Sequence, residues 1–126
     1  MSGIPRFIDN NDGTVTDTKT GLMWVKDTTP GVFTWLKAIE YCEGLGDGWR
    51  LPTIEELISI VDYNRFDPAI DPIFECKLSY YWSSTTNAGN PSNAWVVYFY
   101  DGSLYYGNKS FYGYYVRAVR SLKEKP

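Results

Sequence analysis

A chain of 126 residues with 44% hydrophobic content and no low-complexity tract can build one domain with a real core, and is too short for two. Its net charge of −3 comes from scattered acidic and basic residues, which leaves no basic stripe for nucleic acid, and the absence of histidine removes the commonest general base and metal ligand. No apolar run approaches the roughly 18 residues that span a bilayer, and the first residues lack the apolar stretch of a signal peptide.

In chain order, Arg6 to Asp17 reads as two short β-prone runs around an Asn-Asp-Gly turn, a hairpin signal. A Lys19-Thr20-Gly21 turn leads to a third strand at Leu22-Met23-Trp24-Val25. Thr34 is a candidate N-cap for a helix whose apolar residues recur at Trp35, Ala38, Ile39, Cys42 and Leu45, with Gly44 and Gly46 at its end. In WRLPTIEELISIVDY, Thr53 and Glu56 form a capping box, and Ile54, Leu57, Ile58 and Val61 make the apolar face of a second helix.

A Pro-containing irregular stretch follows, with Phe66, Ile70, Ile73 and Phe74 as expected core anchors. The period then changes to two. Tyr80 to Ser84 is a strand, and in the next Trp95, Val97 and Phe99 are predicted to point inward while Val96, Tyr98 and Tyr100 point outward. Asp101-Gly102 turns the chain, Ser103 to Tyr106 return, and Tyr115 to Arg120 close the sheet. The expected class is α+β, with two helices packed on a mostly antiparallel twisted sheet.

The composition of the last third is the strongest functional signal. Ser79 to Val116 hold nine of the eleven tyrosines and carry only two formal charges, Asp101 and Lys109. A core seldom takes so many tyrosines, because each buried hydroxyl needs a partner. Tyr beside Ser, Gly and Asn is instead the composition of a recognition surface.

RFIDNNDGTVTDTKTGLMW, AIEYCEGL, WRLPTIEEL, YYWSST, AWVVYF-DG and YVRAVR, in that order, resemble the DUF1566 or Lcl C-terminal domain family over roughly Arg6 to Ser121. The resemblance implies a variant of the C-type lectin fold across a single domain. Some such domains are the variable proteins of diversity-generating retroelements, one of them carried by an archaeal virus. There, adenine-directed errors change AAY codons while framework codons survive.

Residues 95–115 are similar to such a variable region. Trp95, Val97, Phe99, Gly102, Lys109, Ser110, Tyr115, Val116 and Arg117 keep the family pattern. Between them Val96, Tyr98, Tyr100, Asp101, Ser103, Tyr105, Tyr106, Gly107, Asn108, Phe111, Tyr112, Gly113 and Tyr114 are all reachable from AAY codons, with Leu104 a further candidate. These thirteen are the predicted ligand-binding residues. The expected partner is a protein or cell-surface ligand, in a virion-surface or cell-surface setting, with no nucleic acid and no membrane insertion. A monomer is slightly favoured. The alternative is a static adhesin or structural tip module, which family members with this domain form.

No catalytic residue, metal or cofactor is expected. DNNDG at Asp9 to Gly13 fails the spacing of a calcium loop, and Asn90-Pro91-Ser92 lacks the carboxylate of the tripeptide through which lectins of this fold hold calcium. Glu55 and Glu56 diverge on their helix and are read as structural or solvent-facing. Arg50 and Arg117 are expected in buried ion pairs with acidic residues. Cys42 and Cys76 either bridge the first helix to the mid-chain loop or are small buried hydrophobes, and neither matches the reactive cysteine pair of the formylglycine-generating enzymes, which share a related fold.

Overall fold

The computed structural model describes residues 4–122. The first hairpin joins β1 (Phe7–Asp9) to β2 (Thr14–Asp17). Its turn is built by its own acidic side chains: Asp9 accepts from the Asn11 amide at 2.9 Å, and Asp12 from the Thr14 amide at 3.0 Å. β3 (Leu22–Val25) extends the sheet, and β7 (Val119–Ser121) completes it in the order β1-β2-β3-β7.

α1 (Trp35–Gly44) begins after Thr34, which takes extended backbone but makes no side-chain cap bond. α2 (Ile54–Ser59) carries the capping box: the Glu56 amide donates to the Thr53 hydroxyl at 3.2 Å, and the Thr53 amide to the Glu56 carboxylate at 2.9 Å. Glu56 also forms a bidentate pair with Arg50, at 2.7 and 2.8 Å, so one carboxylate fixes both a helix start and the chain entering it.

A second antiparallel sheet holds β4 (Tyr80–Thr86), β5 (Asn93–Tyr98) and β6 (Ser103–Asn108), in that order. The single sheet expected from the sequence is thus two. The predicted closing strand over 115–120 belongs to neither sheet throughout, because its partners change along its length. Tyr114 pairs with Phe33, Tyr115 with Tyr80 and Trp82, and Val119 with Arg50 and Trp24. It is a strap between the sheets, and only its last residues are regular strand.

The core has two compartments. Trp24, Leu57, Ile60, Tyr81, Val97 and Phe99 belong to the first, where α2 and both sheets meet. Ala38, Cys42, Trp82, Ala94, Val96 and Val116 belong to the second, beneath α1. β5 separates them and is buried on both faces.

Several predicted core positions change place. Leu45 lies past the helix as its C-cap residue and is 44% exposed, and Phe66 is 69% exposed in its loop. Both cysteines are free: Cys42 is sealed in the second compartment, and Cys76 packs against the first. Arg117 is buried but faces no carboxylate among the described residues; its guanidinium donates to the carbonyls of Val25, Lys26 and Glu75.

The Arg6–Asp17 pair closes the open end of the first sheet, with two bonds of 3.0 Å and a third from Arg6 to the Ser59 carbonyl at 2.8 Å. Burial raises the Asp17 pKa, but the bonds and charge of Arg6 together with bonds from Thr20 and the Lys19 amide outweigh it and hold the carboxyl below its ordinary value. A lowered folded-state pKa contributes stability above the unfolded value of about 3.9, lost as pH falls through the folded one. Asp17→Asn is expected to cost roughly 1.5–3 kcal/mol in urea unfolding near neutral pH, and to reduce the fall in stability below about pH 4. Unchanged stability would show the pair to be incidental.

Candidate ligand-binding face

Strand register decides which tyrosines share a face. Tyr80 lies opposite Tyr98, Trp82 opposite Val96, Val96 opposite Tyr105, and Trp95 opposite Tyr106. Tyr80, Tyr98 and Tyr105 therefore lie on the same face as Trp82 and Val96, whereas Leu104 and Tyr106 lie on the other with Tyr81, Trp95 and Val97. α1 covers the Val96 part of the first face through Ala38 and Cys42, and the Tyr80–Tyr98 part stays half-open.

Aromatic rings form a continuous row over this opening. Phe66 meets Tyr100 edge-on at 6.2 Å, Tyr100 stacks on Tyr98 at 5.9 Å, and Tyr98 on Tyr80 at 4.7 Å. Tyr80 then touches Tyr114 at 5.2 Å, and Tyr114 lies parallel to Tyr112 at 5.9 Å. Tyr105 stands edge-on to Tyr80 and closes the row from β6. Each such pair contributes about 0.5–1.5 kcal/mol beyond area burial, so the rings hold one another before any ligand arrives.

The hydroxyls of Tyr80, Tyr98, Tyr100, Tyr105, Tyr112 and Tyr114 make no hydrogen bond to any described residue, in contrast to Tyr63, which donates to the Gly102 carbonyl at 3.1 Å. Burial raises the Tyr114 pKa, and the neighbouring hydroxyls of Tyr112 and Tyr80 add to the effect. The row is uncharged, apolar in its ring faces, and its hydroxyls are free of partners among the described residues.

The thirteen predicted residues do not all reach this surface. Tyr98, Tyr100, Tyr105, Tyr112 and Tyr114 compose the row, and Phe111, at 82% exposure, and Gly113 lie beside it in sequence. Asp101 accepts from the Ser103 amide and hydroxyl, and Asn108 from the amides of Ser110 and Phe111, so these side chains build turns. Tyr106 is exposed on the opposite face, edge-on to Trp95 at 5.8 Å.

Two positions are corrected outright. Val96 is fully buried, because its face of β5 lies under α1, so simple alternation does not bring it outward. Gly107 is buried against Tyr114: a Cβ there would come within 2.6 Å of the Tyr114 ring.

Tyr80, Phe66 and Tyr63 (66% exposed) add to the aromatic surface although they lie outside residues 95–115. Tyr80 was reachable from the pairing of the two strands. Phe66 and Tyr63 sit in an irregular stretch without periodicity, where no sequence signal distinguishes an exposed aromatic from an anchor. Gly102 joins this region to the row. Its backbone is left-handed, with φ +83°, and a Cβ would meet Val61 at 2.5 Å and Tyr63 at 2.8 Å.

With the geometry in hand, comparison with known proteins gives one decisive match: the profile of the Lcl C-terminal domain covers residues 13–120. The chain belongs to the Lcl C-terminal domain family. No curated protein matches it. In this Lcl C-terminal domain the matched span contains every residue of the row.

Val96 and Tyr105 sit opposite each other yet should respond differently. Val96→Ala is expected to cost roughly 2–3 kcal/mol through lost burial and the cavity left. Tyr105→Ser, which gives up edge contacts with Tyr80 and Tyr98 on a half-exposed ring, should cost less, about 1–1.5 kcal/mol. Chemical denaturation of both variants checks this, and a neutral Val96→Ala would return that residue to the surface.

Proposed function

We propose that this chain is a non-enzymatic binding module of C-type lectin-like fold, whose tyrosine row docks a protein or cell-surface ligand. One observation carries the reading: contiguous, partly exposed rings present hydroxyls that no neighbour satisfies. Stacked rings with few free torsions lose little entropy on binding, and hydroxyls not engaged by neighbouring residues offer directional bonds to the ligand. Without charge on the row, affinity comes from shape, stacking and neutral hydrogen bonds.

The cysteines fit a non-catalytic role. Burial, with a smaller contribution from Glu43, pushes the Cys42 thiol up to about 12, and burial also raises Cys76, so neither is primed as a thiolate nucleophile.

Diversification by a retroelement accords with the division between buried framework and exposed row. Trp95, Val97, Phe99 and Gly102 support the fold, while the row residues beyond Tyr80 and Phe66 are reachable from AAY codons. Virion-surface or cell-surface display is the corresponding setting.

Amplicon sequencing of the gene's 3′ end across one source population tests the reading. Substitutions are expected to concentrate at codons 98, 100, 105, 111, 112 and 114, with codon 96 confined to small apolar residues. A uniform sequence across independent samples would instead identify a fixed adhesin or structural tip module.

A further inference from the structure

β6 is the outer strand of its sheet, and the phase of its pairing is fixed at one end. Lys109 N–H donates to the Ser92 carbonyl at 2.9 Å, so alternate residues 103, 105 and 107 turn their main chain toward β5. Leu104 and Tyr106 turn theirs away from it. Neither has a main-chain partner elsewhere among the described residues.

This edge differs from the others. The β4 edge is closed by Tyr115, which accepts from Trp82 and donates to Tyr80, and by Pro52, which accepts from Ser84. β1 is three residues long, preceded by Pro5 and Arg6 and ended by Asp9, features that blunt an edge. β6 is six residues long, SLYYGN, without charge or proline, and Leu104, Tyr105 and Tyr106 are 46%, 47% and 58% exposed.

We propose that the β6 edge pairs antiparallel with the β6 edge of a second copy of this chain, about a two-fold axis through Tyr105. In that register Leu104 of each copy exchanges main-chain hydrogen bonds with Tyr106 of the other, and each outward donor meets an acceptor. On one face the side chains of Leu104 and Tyr106 meet their counterparts beside Trp95. On the other, Tyr105 meets Tyr105.

Self-pairing fits because the contact is isologous and the strand uncharged, so no like charges oppose each other. This departs from the monomer expected from the sequence. It shares Tyr105 with the aromatic row but does not rest on the ligand-binding reading, since the pairing is carried by the main chain of the edge.

Sedimentation equilibrium of the full chain from about 1 μM to 1 mM reads the association directly. The weight-average mass is expected to rise from 14.4 kDa toward twice that value. Leu104→Pro removes an outward amide, and Tyr106→Lys places like charges on facing strands. Each should raise the dimer dissociation constant about tenfold or more, with a far-UV spectrum like the wild type; if Leu104→Pro does not fold, Tyr106→Lys decides. A wild-type mass fixed at 14.4 kDa overturns the proposal and leaves the edge for a strand of another protein. Undiminished dimerisation of the folded variants, or a trimeric mass, also overturns it by placing self-association elsewhere.

Discussion

The guanidinium of Arg117 is the point through which the two halves of the molecule are joined. It is buried at 1% exposure, donates to the carbonyls of Val25, Lys26 and Glu75, and lies beside the rings of Phe74 and Tyr81 at 5.0 and 5.6 Å. A buried cation with no carboxylate beside it among the described residues needs oxygen acceptors and polarisable rings; the two terminal nitrogens of Arg117 find carbonyls, while its Nε has no partner among the described residues. Here the acceptors come from the end of β3 and the loop before β4, the rings from that loop and from β4, and the same segments are also tied by main-chain bonds from Glu75 to Lys26 and from Val25 to Ala118. The strap can leave one sheet for the other because Arg117 fastens it midway.

β5 lies between two core compartments, and the position of the exposed aromatic row follows from that. A strand covered on both faces cannot display alternate residues, so β5 contributes Tyr98 only where α1 ends its cover, with Tyr100 following beyond the strand. Exposure passes to β6, whose residues are open on both faces because it is an edge. Tyr105 and Tyr106, adjacent in sequence, thus serve opposite surfaces. Crowding of aromatic residues in the sequence does not mean crowding on one surface; register and cover decide.

Local signals were well read from the sequence. The Asn-Asp-Gly turn of the first hairpin, the Thr53–Glu56 capping box and the first-helix stripe of Ala38 and Cys42 rest on contacts within a few residues. The strap was misread because nothing in its sequence shows that its partners change along its length, and Val96 for another reason. Period-two alternation reports that a strand has two faces but not whether a helix from elsewhere covers the second. A run such as Trp95 to Phe99 reads the same for a half-exposed strand as for one buried on both sides. Phe66 failed for a different reason: in irregular chain nothing periodic exists to assign a side.

The contact between Gly107 and the Tyr114 ring has a combinatorial consequence. A side chain at 107 would bring its Cβ to 2.6 Å from the Tyr114 ring, so either the tip of that ring shifts or residue 114 is smaller. The two positions are therefore coupled. A substitution at 107 moves or removes the ring that links Tyr80 to Tyr112, and with it the continuity of the row.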